Sequence, residues 1–182
     1  MNNWIALLRG INVGGHNILP MKELKVLLEA LGCRDIATYI QSGNVVFRHT
    51  ESDAASLEAT ISDAIGESFG FEPRVMLLSV DEFTRCVRDN PFSQTLQAPK
   101  TLHMWFLAAP VEDPDIEKMD SLKARTEEFM LSEKVFYLSA PDGIGRSKLA
   151  VSVEKLLGVP ATARNLRTAS KLCEMTSKMF PD

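Results

Sequence analysis

The 182-residue chain carries a formal net charge of −4 at pH 7 and has a sequence pI of about 5.5. Proteins that bind nucleic acid over their whole surface are usually basic, so this charge excludes that class but allows a local basic patch. Apolar residues make up 45% and charged residues 24% of the chain, as in a folded protein of one large or two small domains. No apolar run approaches the length of a membrane span, and the first residues lack the pattern of a signal peptide. The sequence therefore predicts a cytoplasmic protein.

The cysteines and histidines form no recognisable disulfide or metal pattern. Cys33, Cys86 and Cys173 lie far apart without a CxxC spacing, which predicts small buried side chains in a reducing compartment. The three histidines share no ligand spacing. No Ser, Cys or Thr has a neighbouring group that identifies a nucleophile with its base. We therefore expect no metal and no cofactor, and the sequence leaves open whether the protein is an enzyme.

The first half of the chain predicts the order β-α-β-β-α-β followed by one more helix. Residues 3–9 are an apolar run typical of a buried strand, and apolar residues then recur at helical spacing from Pro20 to Gly32. Two β-rich runs flank Ser42-Gly43-Asn44, which predicts a hairpin. The remaining elements of this half are a helix at 53–69, a strand at 74–78 and a short helix that starts near Ser79 and stops before Pro91.

The second half predicts the same order after a polar, proline-containing linker at residues 91–100. Its expected elements are strands at 102–107, 127–131, 134–139 and 161–163, and helices at about 115–125, 146–157 and 165–179. This order predicts an α+β protein of two tandem ferredoxin-like (βαββαβ) α/β plaits, each an antiparallel sheet with helices on one face and an extra helix after it. The predicted domains are 1–90 and 101–182, joined by 91–100.

A glycine-rich segment, residues 9–15, connects the first predicted strand to its helix. Glycine permits positive φ and close approach of another group, so three of them here suggest a backbone shaped around a ligand. Strand directions place this segment beside the Ser42-Gly43-Asn44 turn, where N–H groups and the helix start at Pro20 would attract an anion. Tight-turn chemistry is the alternative, since the segment matches neither a Walker A loop nor a dinucleotide fingerprint. The candidate ligand-binding residues of this half are Arg9, Asn12, Gly14, Gly15, Ser42 and Asn44.

A second candidate cluster is basic, although the chain as a whole is acidic. Arg146 and Lys148 begin a predicted helix after two glycines, and Arg164 and Arg167 lie where the last predicted strand ends. Strand directions place both segments at one end of the second sheet, where basic groups could bind an anion. A solvated face paired with the surplus Asp and Glu is the alternative. If the two domains pack head to tail, this cluster would face the glycine-rich segment.

Three motifs carry a family resemblance: residues 8–15 (LRGINVGG), Met21 with Leu24, and residues 39–45 (YIQSGNV). Together with Arg146-Ser147-Lys148 and Thr162-Ala163-Arg164-Asn165, they resemble the bacterial family catalogued as domain of unknown function 1697 over essentially the whole chain. The resemblance implies two ferredoxin-like α/β plaits in tandem and a cytoplasmic location. It implies no established activity and therefore no catalytic residue.

These observations lead to one main hypothesis about function and two alternatives. The main hypothesis is a protein that binds a phosphate-bearing ligand, either a nucleotide or a nucleic-acid end. The first-half residues would supply amide groups and the second-half residues positive charge. The alternatives are an enzyme that acts on a phosphorylated small molecule and a protein-interaction module that uses a sheet face or an edge strand. The oligomeric state is left open.

Overall fold

This computed structural model describes residues 1–181, apart from the side chain of Ser93. Within that range the fold is mixed α+β, with two four-stranded antiparallel sheets and six α-helices. The strands are β1 (Asn2–Leu8), β2 (Arg34–Tyr39), β3 (Asn44–His49), β4 (Val75–Ser79), β5 (Leu102–Leu107), β6 (Glu128–Leu131), β7 (Val135–Ser139) and β8 (Ala161–Asn165). The helices are α1 (Met21–Ala30), α2 (Ala54–Phe69), α3 (Val80–Arg88), α4 (Ile116–Leu122), α5 (Val153–Leu157) and α6 (Leu166–Met179).

The chain divides into two compact units. The first contains Met1–Thr84 and the residues from Lys171 onward, and the second contains Arg85–Ser170. The boundaries therefore fall inside α3 and α6. The sequence-based division into 1–90, 91–100 and 101–182 stays a prediction about domains that fold on their own. Residues 93–96 of the predicted linker form a 3₁₀ turn, because Thr95 donates its N–H and its hydroxyl to Phe92 O.

In the first unit, the sheet has the strand order β2-β3-β1-β4. The run from Trp4 to Leu8 is buried on both faces of β1, which explains why its sequence is continuously apolar rather than alternating. Trp4, Ala6 and Leu8 pack with Leu24 and Leu28 of α1 in the core between the sheet and the helices. Burial of each such leucine contributes about 1.5–3 kcal/mol.

The second unit repeats this order, with its strands arranged β6-β7-β5-β8. Trp105 and Leu107 of β5 pack with Phe136 and Leu138 of β7 and with Met119 of α4. The strands of the second sheet therefore have the same order along the chain, and the same order within the sheet, as the strands of the first.

One edge strand of each sheet, β4 in the first and β8 in the second, binds a helix carboxylate in the same way. Glu58 of α2 accepts a hydrogen bond from the N–H of Leu77 in β4, at 2.6 Å. Glu154 of α5 accepts one from the N–H of Ala161 in β8, at 2.7 Å. Each carboxylate satisfies a backbone donor on a strand that has a neighbour on one side only.

The predicted helix at 146–157 differs from the structure. Residues 144–146 and 150–152 form 3₁₀ turns, and the α-helical part is Val153–Leu157. The physical reason lies at Ser147, whose hydroxyl accepts the N–H of Ala150 and starts the turn only there.

Candidate ligand-binding sites

The glycine-rich segment forms a loop that is fixed by its own asparagine. The side chain of Asn12 donates to Leu19 O at 2.9 Å and to Gln41 O at 2.8 Å, and its oxygen accepts the N–H of Leu19 at 2.8 Å. A second asparagine, Asn17, donates to Gly10 O at 3.0 Å. Asn12 and Asn17 both have positive φ, a conformation that asparagine tolerates well.

The hairpin turn between β2 and β3 lies directly against this loop. Leu8 donates its N–H to Gly43 O at 2.8 Å, and a Cβ added to Gly43 would lie 2.6 Å from Leu8 Cβ and 2.9 Å from Ile11 Cδ1. Asn44 is completely buried, and its side chain donates to Tyr39 O and to the Ser42 hydroxyl. The sheet register thus brings the two predicted segments to one end of the first sheet.

The predicted first-half residues therefore come together, but not all of them can donate to a ligand. The side-chain amides of Asn12 and Asn44 already use both of their N–H donors inside the loop and the turn. Both amides therefore hold the loop and the turn together, and their expected contact with an anion stays a prediction. Gly14 and Gly15 lie exposed at the tip of the loop, and Arg9 is exposed while its N–H is bound to Arg74 O.

The second predicted cluster also lies at one end of a sheet. In the register of the second sheet, Ser139 at the end of β7 faces Leu102, and Asn165 at the end of β8 faces His103. Both exits contact the segment that precedes β5: Ala140 donates its N–H to Thr101 O, and Arg167 donates its N–H to Pro99 O. The structure therefore brings the 140–148 segment and the start of α6 to the same end of this sheet.

A fifth basic residue, Lys100, lies in that shared segment and was missed by the sequence reasoning. It stands alone in the predicted linker, where nothing in the sequence distinguishes it from any other surface lysine. We call the group of Lys100, Arg146, Lys148, Arg164 and Arg167 the cationic end of the second sheet.

Most of the cationic end has no carboxylate partner. The side chains of Lys100, Arg146, Lys148 and Arg167 are exposed, and none of the four forms an ion pair within residues 1–181. Asp142, at the same end, instead accepts a hydrogen bond from the Thr126 hydroxyl at 2.7 Å. The positive charges are therefore not neutralised by direct contacts.

Arg164 differs from the other members of the cationic end. It is half-buried, and its Nη1 donates to Ala163 O at 2.8 Å. Burial lowers the pKa of Arg164 to about 10, which still leaves it charged at neutral pH. Replacing it would disturb packing as well as charge, so it is a poor reporter of ligand binding.

A histidine also lies at this end of the second sheet. The ring of His103 donates to the backbone carbonyl of Lys100, and burial lowers its pKa.

The sequence analysis considered His103 only as a metal ligand. In the described part of the chain, no group of three or more His, Cys, Asp and Glu could hold a metal ion, and no disulfide joins Cys33, Cys86 or Cys173. No helix among those residues is long and apolar enough to cross a membrane.

The strand order and the two sheets define an α+β protein with a repeated topology, and the sequence comparison supplies its family. The profile described as "Protein of unknown function (DUF1697)" matches residues 1–137, so the chain belongs to that family. This confirms the resemblance carried by residues 8–15 and 39–45. The match ends inside β7, so four of the five cationic residues lie beyond it.

One solved structure is similar over almost the whole chain. The conserved bacterial protein SP0830 from Streptococcus pneumoniae is 25% identical and superposes with a TM-score of 0.69, covering 96% of this chain and 98% of that one. No curated protein sequence matches the chain.

Proposed function

We propose that the protein binds a phosphate-bearing ligand, a nucleotide or a nucleic-acid end, at the cationic end of the second sheet. The observation that carries this proposal is the convergence of four exposed, unpaired cations at one sheet end in a chain of net charge −4. Like charges held together repel one another, and a bound anion would relieve that repulsion. Arginine and lysine are also the side chains that phosphate groups prefer.

The proposal includes the fold and the location expected from the sequence. We propose that each unit is a ferredoxin-like plait, which the shared βαββαβ order and the equivalent strand orders support. A cytoplasmic location would supply nucleotides and nucleic acids as ligands. The head-to-tail packing of the two predicted domains stays a prediction.

The test is thermal unfolding of the full chain with inorganic phosphate, nucleotides, sugar phosphates and short RNA and DNA, at low and high salt. A ligand at 100 times its dissociation constant should add about 2.7 kcal/mol to the free energy of unfolding. The stabilisation should be lost in Arg146→Ala and Arg167→Ala, whose own stability should change by no more than about 0.5 kcal/mol because both side chains are exposed.

Lys155→Ala is the matched control, because it removes one exposed positive charge from the same unit. Lys155 lies on α5, and the segment after α5 leads away from the cationic end. That segment meets the other end of β5, where Ala108 donates its N–H to Pro160 O. Stabilisation that survives in Arg146→Ala and Arg167→Ala, or that is lost equally in Lys155→Ala, contradicts the proposed site. Turnover of a phosphate ester from the same set of ligands would favour the enzyme alternative. A binding affinity that falls steeply as the salt concentration rises would favour a nucleic acid.

A further inference from the structure

A pocket lies at the end of the first sheet where β1 begins. β1 pairs with β3 from Asn2 onward, but its pairing with β4 starts at Trp4, opposite Ser79, because α3 begins at the next residue. The pocket has a volume of about 400 Å³, and its lining includes Asn2, Trp4, Ser52, Ser79 and Asp81, all in the first unit. A volume of this order suits a small organic ligand. We call it the β1 pocket.

Hydrogen bonds fix one wall of the β1 pocket before any ligand binds. The side chain of Asn2 donates to Thr50 O at 3.4 Å and to Glu51 O at 2.9 Å, and Trp4 Nε1 donates to Glu51 O at 3.3 Å. The carboxylate of Glu51 in turn accepts the N–H of Ser52 at 2.8 Å. The connection between β3 and α2 is therefore held against β1. A wall that is already ordered loses little conformational entropy when a ligand binds.

The lining of the β1 pocket leaves both acceptors and donors for a ligand. Both N–H groups of Asn2 are engaged, so its Oδ1 remains as an acceptor. The exposed carboxylate of Asp81 has no hydrogen bond or ion pair within residues 1–181. Ser79 Oγ accepts the N–H of Glu82 at 3.2 Å, so its hydroxyl hydrogen remains as a donor. The exposed hydroxyl of Ser52 has no partner in the same part of the chain.

The groups that line the β1 pocket carry one charge of each sign. Asp81 is the one lining residue with a charged side chain, and Met1, which also lines the pocket, carries the α-amino group. The neighbouring carboxylates of Glu51 and Asp53 accept backbone N–H groups of their own segment. The lining therefore has no net charge that would select an anion or a cation.

Hydroxyl groups match this lining better than charged groups do. A phosphate only accepts hydrogen bonds and would meet the carboxylate of Asp81, whereas an ammonium group only donates and would meet the α-amino group. A hydroxyl both donates and accepts, so it can use both kinds of lining group. Arg48 donates to Asn3, a further lining residue, but it is paired with Asp35 at 3.4 Å and adds no unpaired charge.

We propose that the β1 pocket binds a small uncharged polyol, such as a single sugar ring. Hydroxyl groups of the polyol would donate to the carboxylate of Asp81 and to Asn2 Oδ1, and would accept from the hydroxyls of Ser52 and Ser79. The pocket lies in the first unit, so the proposal goes beyond phosphate binding at the second sheet and does not depend on it.

The probes are ribose, glucose, galactose and myo-inositol, together with glucosamine and glucuronate as the positively and negatively charged relatives of glucose. Each is titrated into the ¹⁵N-labelled full chain at slightly acidic pH, where glucosamine is charged. At least one uncharged polyol should shift the amide resonances of residues 2–4, 50–53 and 79–82, and glucosamine and glucuronate should bind more weakly than glucose. Asp81→Asn should weaken binding by about tenfold, because a hydrogen bond to a charged group is lost. Ser52→Ala should weaken it by a smaller factor.

Asp63→Asn is the matched control, because it removes one exposed carboxylate from the first unit outside the lining of the pocket, and it should leave binding unchanged. Arg146→Ala should also leave it unchanged, which separates this proposal from phosphate binding. The proposal is overturned if no uncharged polyol shifts these resonances, or if glucosamine or glucuronate binds more tightly than glucose. A loss of binding in Asp63→Asn equal to that in Asp81→Asn would also overturn it, since the effect would then come from the overall charge.

Discussion

Gly43 and Gly10 show that a glycine can be required for its backbone conformation alone or for lack of space as well. Both have a φ of 72°, which disfavours any side chain. A Cβ at Gly10 would meet no atom within 4 Å, whereas one at Gly43 would overlap Leu8 and Ile11. The two sites therefore share the backbone cost and differ in the packing cost.

At the residue scale, Gly43→Ala should lower the free energy of unfolding by about 2–4 kcal/mol, the sum of the left-handed backbone cost and overpacking. Gly10→Ala should cost only about 1–2 kcal/mol, because the space beside it is open. Urea unfolding of both variants measures the difference. Equal losses would show that the turn moves away from Leu8 without cost.

The asparagines show what residue types alone can indicate. Asn12 and Asn44 stand in a glycine-rich loop and a hairpin turn, and the sequence correctly predicts that these segments meet. Whether their amides face a ligand or the chain itself depends on hydrogen bonds with residues up to 29 positions away, such as Asn12 to Gln41. The answer depends on the tertiary structure, in which both amides donate to groups of the chain itself.

At the element scale, the helices protect the edge strands with carboxylates. Burial raises the pKa of Glu58 above its usual 4.5, and the hydrogen bond from Leu77 opposes the shift. A carboxyl whose folded-state pKa is raised contributes stability that is present below the unfolded-state pKa and is lost as pH rises through the folded-state value. The charged form of Glu58 is thus the less favourable one in the folded protein, although it satisfies the edge of β4.

We therefore expect Glu58→Gln to keep the hydrogen bond and to remove this loss, so that its stability relative to wild type increases as pH rises above about 4.5. Glu58→Ala leaves the N–H of Leu77 without its acceptor and should cost about 1–3 kcal/mol. Chemical denaturation at several pH values between acidic and neutral measures both effects. A pH dependence that is identical in wild type and Glu58→Gln would show that Glu58 is not the group responsible.

The helix predicted at 146–157 shows that apolar periodicity does not determine where a helix begins. Leu149, Val153 and Leu157 are buried as a helical pattern requires, and the three belong to one core. The backbone still breaks into 3₁₀ turns, because Ser147 binds the N–H of Ala150 in competition with the helix. Apolar spacing identifies the buried face, but local side-chain hydrogen bonds decide where the helix starts.

At the scale of the whole molecule, the C-terminal residues belong to the first unit. Leu172 and Thr176 are almost fully buried, and the guanidinium of Arg48 in β3 lies 4.7 Å from the ring centre of Phe180. We expect a fragment of residues 1–90 to unfold at a lower temperature than the full chain, since it lacks these side chains. A synthetic peptide of residues 166–182 should restore stability when added in trans.

Circular dichroism during heating checks this expectation, with a Phe180→Ala version of the peptide as the control. Truncating a buried phenylalanine typically costs about 3–5 kcal/mol, so the altered peptide should stabilise the fragment much less. A 1–90 fragment that melts at the temperature of the full chain, with or without the peptide, would instead support the sequence-based domain boundary.

Local periodicity and turn chemistry were enough to predict the order of strands and helices and the two clusters of unusual residues, and the motifs at residues 8–15 and 39–45 were enough to predict the family. The strand register then follows from short connections and buried apolar runs. Three features follow only from the folded chain: the amides of Asn12 and Asn44 are used internally, Lys100 joins the cationic end, and residues from Lys171 onward belong to the first unit. Each of these depends on groups far apart in the chain, whose contacts no local pattern encodes.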